Sequence, residues 1–353
     1  MTDCKQTPTI RVGRAKLIFL AIWLALILLS TAWTALNRSS HLTYSSSPSI
    51  SWRYLPPPIG GGMVRHVVVV DQRWGRIYVL GGKTGNITSD KVYYASLLTD
   101  GAITGWSSSD MPAKLYSAAG VANQGWIFMA GGYDDTNGVY TSSVYSAHPD
   151  PSTGWIARWD SKSNLPISVA NHNLVTYGDY LYSVGGQTAV GSATPALANV
   201  YYASFDRVSG NVDPWIATTS LLTPTAGHAA VVHNGKLYIV GGFTKNTSGV
   251  KSGLSAVVYG TINTGGSING WASTAPLPIS LYQHAALVSG DYIYVIGGYD
   301  DTNKILSSAV YRAPIRANGA LGDWEEVSQT IRHNLRLSEV CQGAVFVQFM
   351  AIR

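Results

Sequence analysis

Four histidines occupy the same place in a phrase that recurs along this sequence, and they are the first residues whose type and spacing could support chemistry. They are His66, His172, His228 and His284, and near the C-terminus Arg332-His333 repeats the Arg65-His66 pair. Imidazoles that converge on one axis could bind a metal ion. They could instead each make the same hydrogen bond within their own repeat, since radial repetition holds equivalent residues apart. We expect the structural role, with no metal and no cofactor.

A second candidate is a seven-residue phrase, Gly-Gly-Tyr-Asp-Asp-Thr-Asn, that occurs twice. It starts at Gly131 and again at Gly297, 166 positions later, and a Leu-Tyr pair precedes each copy. Paired carboxylates could hold Ca²⁺, but Asp and Asn are also favoured in turns because their side chains bond to the local backbone. We favour the turn, and a polar rim that binds a sugar or a peptide fits either interpretation. The candidate ligand-face residues are Tyr116, Tyr133, Asp134, Asp135, Asn137, Tyr282, Tyr299, Asp300, Asp301 and Asn303, together with Arg65 and the four histidines.

Acid–base catalysis has little support in this sequence. Glutamate occurs only at Glu325, Glu326 and Glu339, and no carboxylate is placed by pattern beside a histidine or a nucleophile. There is no Gly-x-Ser-x-Gly elbow, no phosphate-binding loop and no His-Glu-x-x-His motif. We therefore name no catalytic residue and favour binding over catalysis, with an enzyme left open.

The histidines and the Tyr-Asp-Asp phrases are positioned by a repeat. Glycine pairs begin at positions 81, 131, 185, 241 and 297, with spacings of 50, 54, 56 and 56 residues. A period near fifty residues indicates a repeat architecture. The copy at 228–242 contains two apolar strands around an Asn234-Gly235 turn, which is the strongest short hairpin signal.

Each copy continues with two further strands. A Val-Tyr signature marks the third strand, as at Val144-Tyr145, and a tryptophan opens the fourth. These tryptophans are Trp106, Trp159 (with Trp155 as the alternative), Trp215, Trp271 and Trp324. Four antiparallel strands repeated radially, with no helical period after residue 36, predict an all-β fold, a β-propeller.

The ends of the repeat region predict six blades, the last one incomplete. Ser51 to Pro56 is typical of a lone fourth strand, and Gly343 to Val347 resembles a second strand, so a sixth blade would join both chain ends. The glycine pair expected after Val347 is replaced by Gln348-Phe349. No third strand can be found for this blade.

The first forty residues differ from the rest. Leu17 to Leu36 is a run of twenty residues without a charge, long enough to span a bilayer, and basic residues precede it. This predicts an N-terminus inside and a propeller outside the cytoplasm. We expect a single-pass anchor, with a cleaved signal peptide and a secreted product as the alternative, because Ser30-Thr31-Ala32 is an acceptable cleavage site. The predicted organisation is a cytoplasmic segment 1–16, an anchor 17–36, a Ser-rich linker 37–51 and a propeller 52–353.

The formal charge of +5 does not indicate a nucleic acid partner. Residues 1–40 hold five Lys or Arg and one acid, which leaves +1 for the other 313 residues, and these contain no basic stripe. The two cysteines, Cys4 and Cys341, would lie on opposite sides of the membrane, so we expect no disulfide.

Strands that end in Gly-Gly, followed by a tyrosine and a spaced tryptophan, resemble kelch repeats over roughly residues 51 to 348. The Val-Tyr-x-Ala and Leu-Pro motifs resemble those of bacterial exported kelch-like proteins, including the sialic acid mutarotase group, and those of the propeller domain of galactose oxidase. The resemblance implies a six-bladed propeller and does not choose among functions. A copper radical site like that of galactose oxidase needs a tyrosine cross-linked to a cysteine. The predicted propeller has only Cys341, so we do not expect such a site.

Our leading hypothesis is a non-enzymatic module that binds a protein or a surface glycan outside the cell. The ligand face would consist of the Gly-Gly loops and the blade connections. The alternative, implied by the resemblance, is a carbohydrate-modifying enzyme of the sialic acid mutarotase type, and a structural spacer is a third hypothesis. Because repeated residues serve packing, we expect specificity in the residues that vary between repeats.

Overall fold

The structure, a computed structural model, describes residues 62–188, 195–246 and 248–329. These residues form thirty strands and no helix, so the all-β prediction is confirmed for them. The strands in chain order are β1 (Val67–Asp71), β2 (Arg76–Leu80), β3 (Lys83–Thr84), β4 (Ile87–Thr88), β5 (Lys91–Ser96), β6 (Ser107–Asp110), β7 (Leu115–Tyr116), β8 (Ala119–Asn123), β9 (Trp126–Ala130), β10 (Tyr133–Asp134), β11 (Val139–Tyr140), β12 (Val144–Ala147), β13 (Asp160–Lys162), β14 (Asn173–Tyr177), β15 (Tyr180–Val184), β16 (Val200–Ser204), β17 (Ile216–Ala217), β18 (Ala229–His233), β19 (Lys236–Val240), β20 (Phe243–Lys245), β21 (Lys251–Gly253), β22 (Val257–Thr261), β23 (Ala272–Thr274), β24 (Leu281–Tyr282), β25 (Ala285–Ser289), β26 (Tyr292–Ile296), β27 (Tyr299–Asp300), β28 (Ile305–Leu306), β29 (Ala309–Pro314) and β30 (Glu325–Gln329).

Twenty of these strands form five antiparallel sheets of four, the blades of a propeller-like fold. The blades are β1-β2-β5-β6, β8-β9-β12-β13, β14-β15-β16-β17, β18-β19-β22-β23 and β25-β26-β29-β30, numbered 1 to 5. The first strands of successive blades pack against one another. The predicted order of four strands per repeat is therefore confirmed for five blades.

Several sequence predictions lie outside the described residues. They are the segment 1–16, the anchor 17–36, the linker 37–51, His333 and both parts of the sixth blade. In the part of the chain that the structure describes, no helix has the length and apolarity needed to cross a membrane.

The hairpin at the start of blade 4 forms for the reason the sequence indicates. Asn234 has a φ of 45° and Gly235 a φ of 71°, so both turn positions are in the left-handed region that this two-residue turn requires. The register pairs His233 with Lys236 and Ala229 with Val240. A one-residue slip would move every side chain of β19 to the opposite face of the sheet and disrupt its packing against both neighbouring blades.

The hydrophobic core lies between blades. All five residues of β2 and of β9 are buried, as expected for strands covered on both faces. Tyr78 and Leu80 of blade 1 pack in one cluster with Ile127 and Met129 of blade 2. The same pairing of neighbours joins blades 2 and 3, 3 and 4, and 4 and 5. Each blade is thus stabilised by burial against the next one.

The repeated tryptophans connect neighbouring blades. The indole N–H of Trp215 donates to the Ser163 carbonyl of the preceding blade at 2.9 Å. Trp159, Trp271 and Trp324 make the equivalent bonds to Asp110, Thr219 and Ala275. This decides the alternative left open for blade 2, because Trp159 makes the bond and Trp155 is 51% exposed.

The glycine pairs also serve the contact between blades. Gly185 and Gly186 have φ values of 57° and 95°, which side-chain-bearing residues rarely adopt. The Gly186 N–H donates to the Thr225 carbonyl, on the connection into blade 4, at 2.9 Å. A Cβ at Gly186 would lie 2.7 Å from the His172 Cβ, so the close approach of backbone and side chain requires glycine.

Candidate functional site

A cavity of about 210 Å³ opens where the first strands of the five blades begin. We call it the inner cavity. Its wall contains residues that immediately precede or start β1, β8, β14, β18 and β25. Polar side chains reach it from several blades, and none of the described residues that line it is an Asp or a Glu.

One residue per blade holds an unusual backbone conformation in this wall. These five, which we call the ring residues, have φ values between 52° and 59°: Arg65, Ser117, Asn171, Gly227 and Gln283. Their main chains are linked from blade to blade, because the N–H of each residue after Arg65 donates to the carbonyl of the ring residue before it. The N···O distances in these four bonds, taken in chain order of the donor (Ser117, Asn171, Gly227, Gln283), are 2.9, 3.0, 2.9 and 2.7 Å. The left-handed backbone directs these N–H and carbonyl groups towards the neighbouring blades.

The four predicted histidines are brought together in the same wall. Each follows a ring residue and is nearly fully buried. The imidazole packs on the preceding blade, since a Cβ at Gly131 would lie 2.8 Å from His172 Cε1 and one at Gly185 would lie 3.0 Å from His228 Cε1. We expected a hydrogen bond within each blade; for His172 and His228 the structure shows a packing contact with the preceding blade.

Burial keeps these imidazoles neutral. It lowers the pKa of His172 to about 3, and it does the same for His228, where the neighbouring His284 and His172 add to the effect. The pKa of His66 and of His284 is lowered to about 4, also by burial, with backbone groups of Met63 and Val240 offsetting part of the shift. Desolvation disfavours the charged form of a buried imidazole. At neutral pH the histidines therefore add no charge to the cavity.

Blade 2 departs from the others because Ala118 replaces the histidine. The glycine that would meet this imidazole is Gly81, and a Cβ placed there would lie 3.1 Å from the Met111 methyl. Sequence analysis identified this gap, and the structure shows that alanine is accepted at the position.

The two Gly-Gly-Tyr-Asp-Asp-Thr-Asn phrases form matching hairpins in blades 2 and 5. Asp134 accepts hydrogen bonds from the backbone N–H of Thr136 and of Asn137, and the Asn137 amide donates to its second oxygen. Asp300 makes the same three bonds with Thr302 and Asn303. These carboxylates hold their own turns, as the turn interpretation predicts.

The second aspartate of each phrase reaches the preceding blade. Asp135 lies 3.8 Å from the Lys83 ammonium, while Asp301 accepts from the Gly253 N–H at 2.8 Å and pairs with Lys304. No group of three or more His, Cys, Asp or Glu in the described ranges is arranged to hold a metal ion.

The tyrosines of the two phrases form equivalent pairs above the hairpins. Tyr116 pairs with Tyr133, and Tyr282 with Tyr299, each pair with ring centroids 5.0 Å apart and an interplanar angle of 34°. Burial, with Asp301 and Tyr299 nearby, raises the pKa of Tyr282 to about 12. The Arg65 guanidinium lies 5.5 Å from the Tyr116 ring centre and the Lys83 ammonium 4.6 Å from it. Through Arg65 the tyrosine pair of blade 2 adjoins the inner cavity.

Comparison with known proteins agrees with this geometry. The family model of the kelch motif matches residues 224–253 and 280–311, which contain the glycine pairs of blades 4 and 5. This chain contains kelch repeats. The kelch pattern found in the sequence is thus confirmed for these two repeats by the family model, and the strand order shows a four-stranded sheet in each of the five blades.

Relatives of this kelch-repeat protein share part of its length. It is 25% identical over 186 residues to alpha-scruin of Limulus polyphemus, covering 51% of this chain and 19% of that protein. It is 26% identical over 145 residues to a kelch repeat-containing protein of Arabidopsis thaliana, covering 40% and 32%. The matches thus span a minor part of each of these two relatives. The solved structure of YjhT has a TM-score of 0.60 and 16% identity, covering 75% of this chain and 85% of the other, and at that identity the likeness shows the fold alone.

Sequence reasoning missed three polar ring residues of this kelch-repeat protein. Ser117, Asn171 and Gln283 were not among the candidates, although Arg65 was. The available signal was positional, because each directly precedes the repeated histidine or its alanine replacement. Their left-handed backbone and their place in the cavity wall follow only from how the blades are arranged.

Proposed function

We propose that this kelch-repeat protein is a binding module whose ligand occupies the inner cavity and contacts the adjoining tyrosine hairpins. The ligand would be a protein loop or a glycan, as the sequence led us to expect. The supporting observation is the wall of the inner cavity, which is polar and differs from blade to blade.

The composition of this wall favours binding over catalysis. An acid–base mechanism needs a titratable group in reach of the substrate, and none of the described residues that line the cavity is a carboxylic acid. The histidines are buried and their pKa values are lowered by desolvation. The alternative, a carbohydrate-modifying enzyme of the sialic acid mutarotase type, would need an acid or base from outside this wall.

One pair of measurements separates the two functions. The purified full-length protein is applied to a glycan array, and free sugars are followed by proton NMR in its presence. We expect retention of particular glycans with unchanged anomeric exchange rates. Faster exchange of an anomeric signal would establish the enzyme, and the absence of any glycan retention would leave only protein partners for the binding module.

We also propose that the propeller lies outside the cytoplasm on a single N-terminal anchor. The support is the sequence of residues 1–36, with its uncharged run after a basic flank. The test is to add a non-permeant protease to intact and to lysed cells. Equal cleavage of the propeller in both samples is expected, and protection in intact cells would refute the proposed orientation.

A further inference from the structure

The ring residues share a backbone that does not depend on their side chains. All five have a left-handed φ and take part in the chain of N–H to carbonyl bonds. Gly227 shows that glycine fits this place, and glycine is the residue that adopts such a φ without strain. Arg65, Ser117, Asn171 and Gln283 are thus side chains at positions where the fold favours glycine.

The identity of the ring residues varies although the residues around them repeat. The next position is alanine in blade 2 and histidine in the other four blades, and the glycine pairs are present in all five. The ring positions hold Arg, Ser, Asn, Gly and Gln, no two alike, and every one with a side chain is polar. Strained non-glycine residues of this kind are concentrated at functional sites.

These side chains all carry hydrogen-bond donors, and the Arg65 guanidinium is a cation that cannot accept, so the set suits an uncharged or anionic group better than a cation. They supply a guanidinium, a hydroxyl and two amides, and none of the described residues that line the cavity is an Asp or a Glu. Further positive charge lies close by. The Lys83 ammonium and the Arg65 guanidinium both lie over the Tyr116 ring. Lys251 is also near: burial, and then the positive charges of Lys245 and Arg65, lower its pKa.

We propose that Arg65, Ser117, Asn171 and Gln283 select the ligand of the inner cavity, and that they select small polar ligands or groups rich in oxygen acceptors over cationic ones. This inference rests on the proposed binding function and assigns its specificity to four named side chains. The hydroxyl and amides bond neutral oxygens, and Arg65 adds a charge-assisted bond where an oxygen carries negative charge.

The first test uses glycine substitutions, for which Gly227 is the natural precedent. Arg65→Gly, Asn171→Gly and Gln283→Gly are made in the full-length protein, and thermal unfolding is measured for each. We expect midpoints within about 3 °C of the wild type, or above it, because glycine relieves the left-handed backbone. Gln124→Gly, with φ of 53° on the turn between β8 and β9 and outside the cavity wall, is the matched control for strain. A clear loss of stability in the ring variants alone would show that these side chains hold the fold, and would overturn the proposal.

The second test uses three sugars that share one ring and differ in charge: glucosamine, glucose and glucuronate. Binding to the wild type is measured by saturation-transfer NMR titration. We expect glucuronate to bind at least as tightly as glucose and glucosamine most weakly. Arg65→Gly should reduce glucuronate affinity by about tenfold or more, the size typical of a charge-assisted bond, and leave glucose nearly unchanged. Arg158→Ala, which removes an exposed positive charge outside the cavity wall, is the control for net charge.

The outcomes separate this inference from the proposed function. If the glycan array identifies a ligand that the three glycine variants bind as well as the wild type, the ring assignment is wrong and the binding function stands. Tighter binding of glucosamine than of glucuronate, or no binding of any of the three sugars, would overturn the selection of acceptor-rich ligands. Failure to retain any glycan on the array would remove the glycan ligand from the proposed function, whatever the ring variants do.

Discussion

Replacing His172 with alanine should remove part of the acid sensitivity of this protein. In the unfolded chain the imidazole has its ordinary pKa of 6.5, and in the folded state burial lowers the pKa to about 3. The unfolded state then binds more protons at any pH between these values. Stability contributed by the neutral imidazole is therefore complete above pH 6.5 and is lost as the pH falls towards 3.

The magnitude follows from the two pKa values. At pH 5.5, one unit below the unfolded value, protonation stabilises the unfolded state by RT ln 11, about 1.4 kcal/mol for this histidine. The folded imidazole stays neutral at that pH, so protonation of the unfolded state alone sets the difference. His66, His228 and His284 are buried in the same way and should add similar amounts in the wild type.

The assay is urea unfolding of the full-length protein at pH 7.5 and pH 5.5. His172→Ala should be less stable than the wild type at pH 7.5, because it leaves a cavity. Its further loss on going to pH 5.5 should be about 1.4 kcal/mol smaller. Leu174→Ala is the control, since Leu174 is buried in β14, two residues after His172, and does not titrate; its loss with pH should equal that of the wild type. The reasoning is refuted if His172→Ala and wild type lose the same stability between the two pH values.

Three further predictions concern the contacts between and within blades. Gly186→Ala should cost more than about 3 kcal/mol in urea unfolding, since its φ is 95° and a Cβ would lie 2.5 Å from a Val169 methyl; Gly265→Ala, where nothing lies within 4 Å, should stay within about 0.5 kcal/mol. Trp215→Phe should lower thermal stability by about 1–3 kcal/mol, because the Ser163 carbonyl loses its donor. Asp300→Ala should speed amide hydrogen exchange at Thr302 and Asn303, whose N–H groups donate to this carboxylate, without affecting the equivalent hairpin of blade 2.

Each of these has a result that would count against it. A fully stable Gly186→Ala protein would mean that the backbone can move away from His172. Unchanged stability of Trp215→Phe would show that the indole bond contributes nothing beyond packing of the ring. Equal exchange rates in the Asp300→Ala protein and the wild type would show that the turn does not depend on its carboxylate.

Much of the architecture could be predicted because it is encoded locally. The Asn234-Gly235 turn, the apolar run after it and the tryptophan before each fourth strand act within a few residues. The order of four strands per repeat therefore follows from the pattern. Contacts between blades were harder to predict from the sequence. Whether Trp155 or Trp159 opens the fourth strand of blade 2 depended on which indole reaches Asp110 in the neighbouring blade.

The candidate site was predictable in part. Repetition identified the histidines and the Tyr-Asp-Asp phrases, and local bonding of Asp134 and Asp300 agrees with a turn. We expected the histidines to bond within their own blades, whereas the imidazoles of His172 and His228 pack against a glycine of the adjacent blade. Such a contact joins residues about forty positions apart, and no local pattern reports it.

The sequence by itself determined the repeat and the all-β class of the described residues. It did so because turn chemistry, strand period and repeat spacing are properties of short segments. Only the tertiary structure decided that Arg65, Ser117, Asn171, Gly227 and Gln283 form one ring around a cavity. The reason is physical: their left-handed backbone is fixed by hydrogen bonds between blades, and these exist only once the first strands lie side by side.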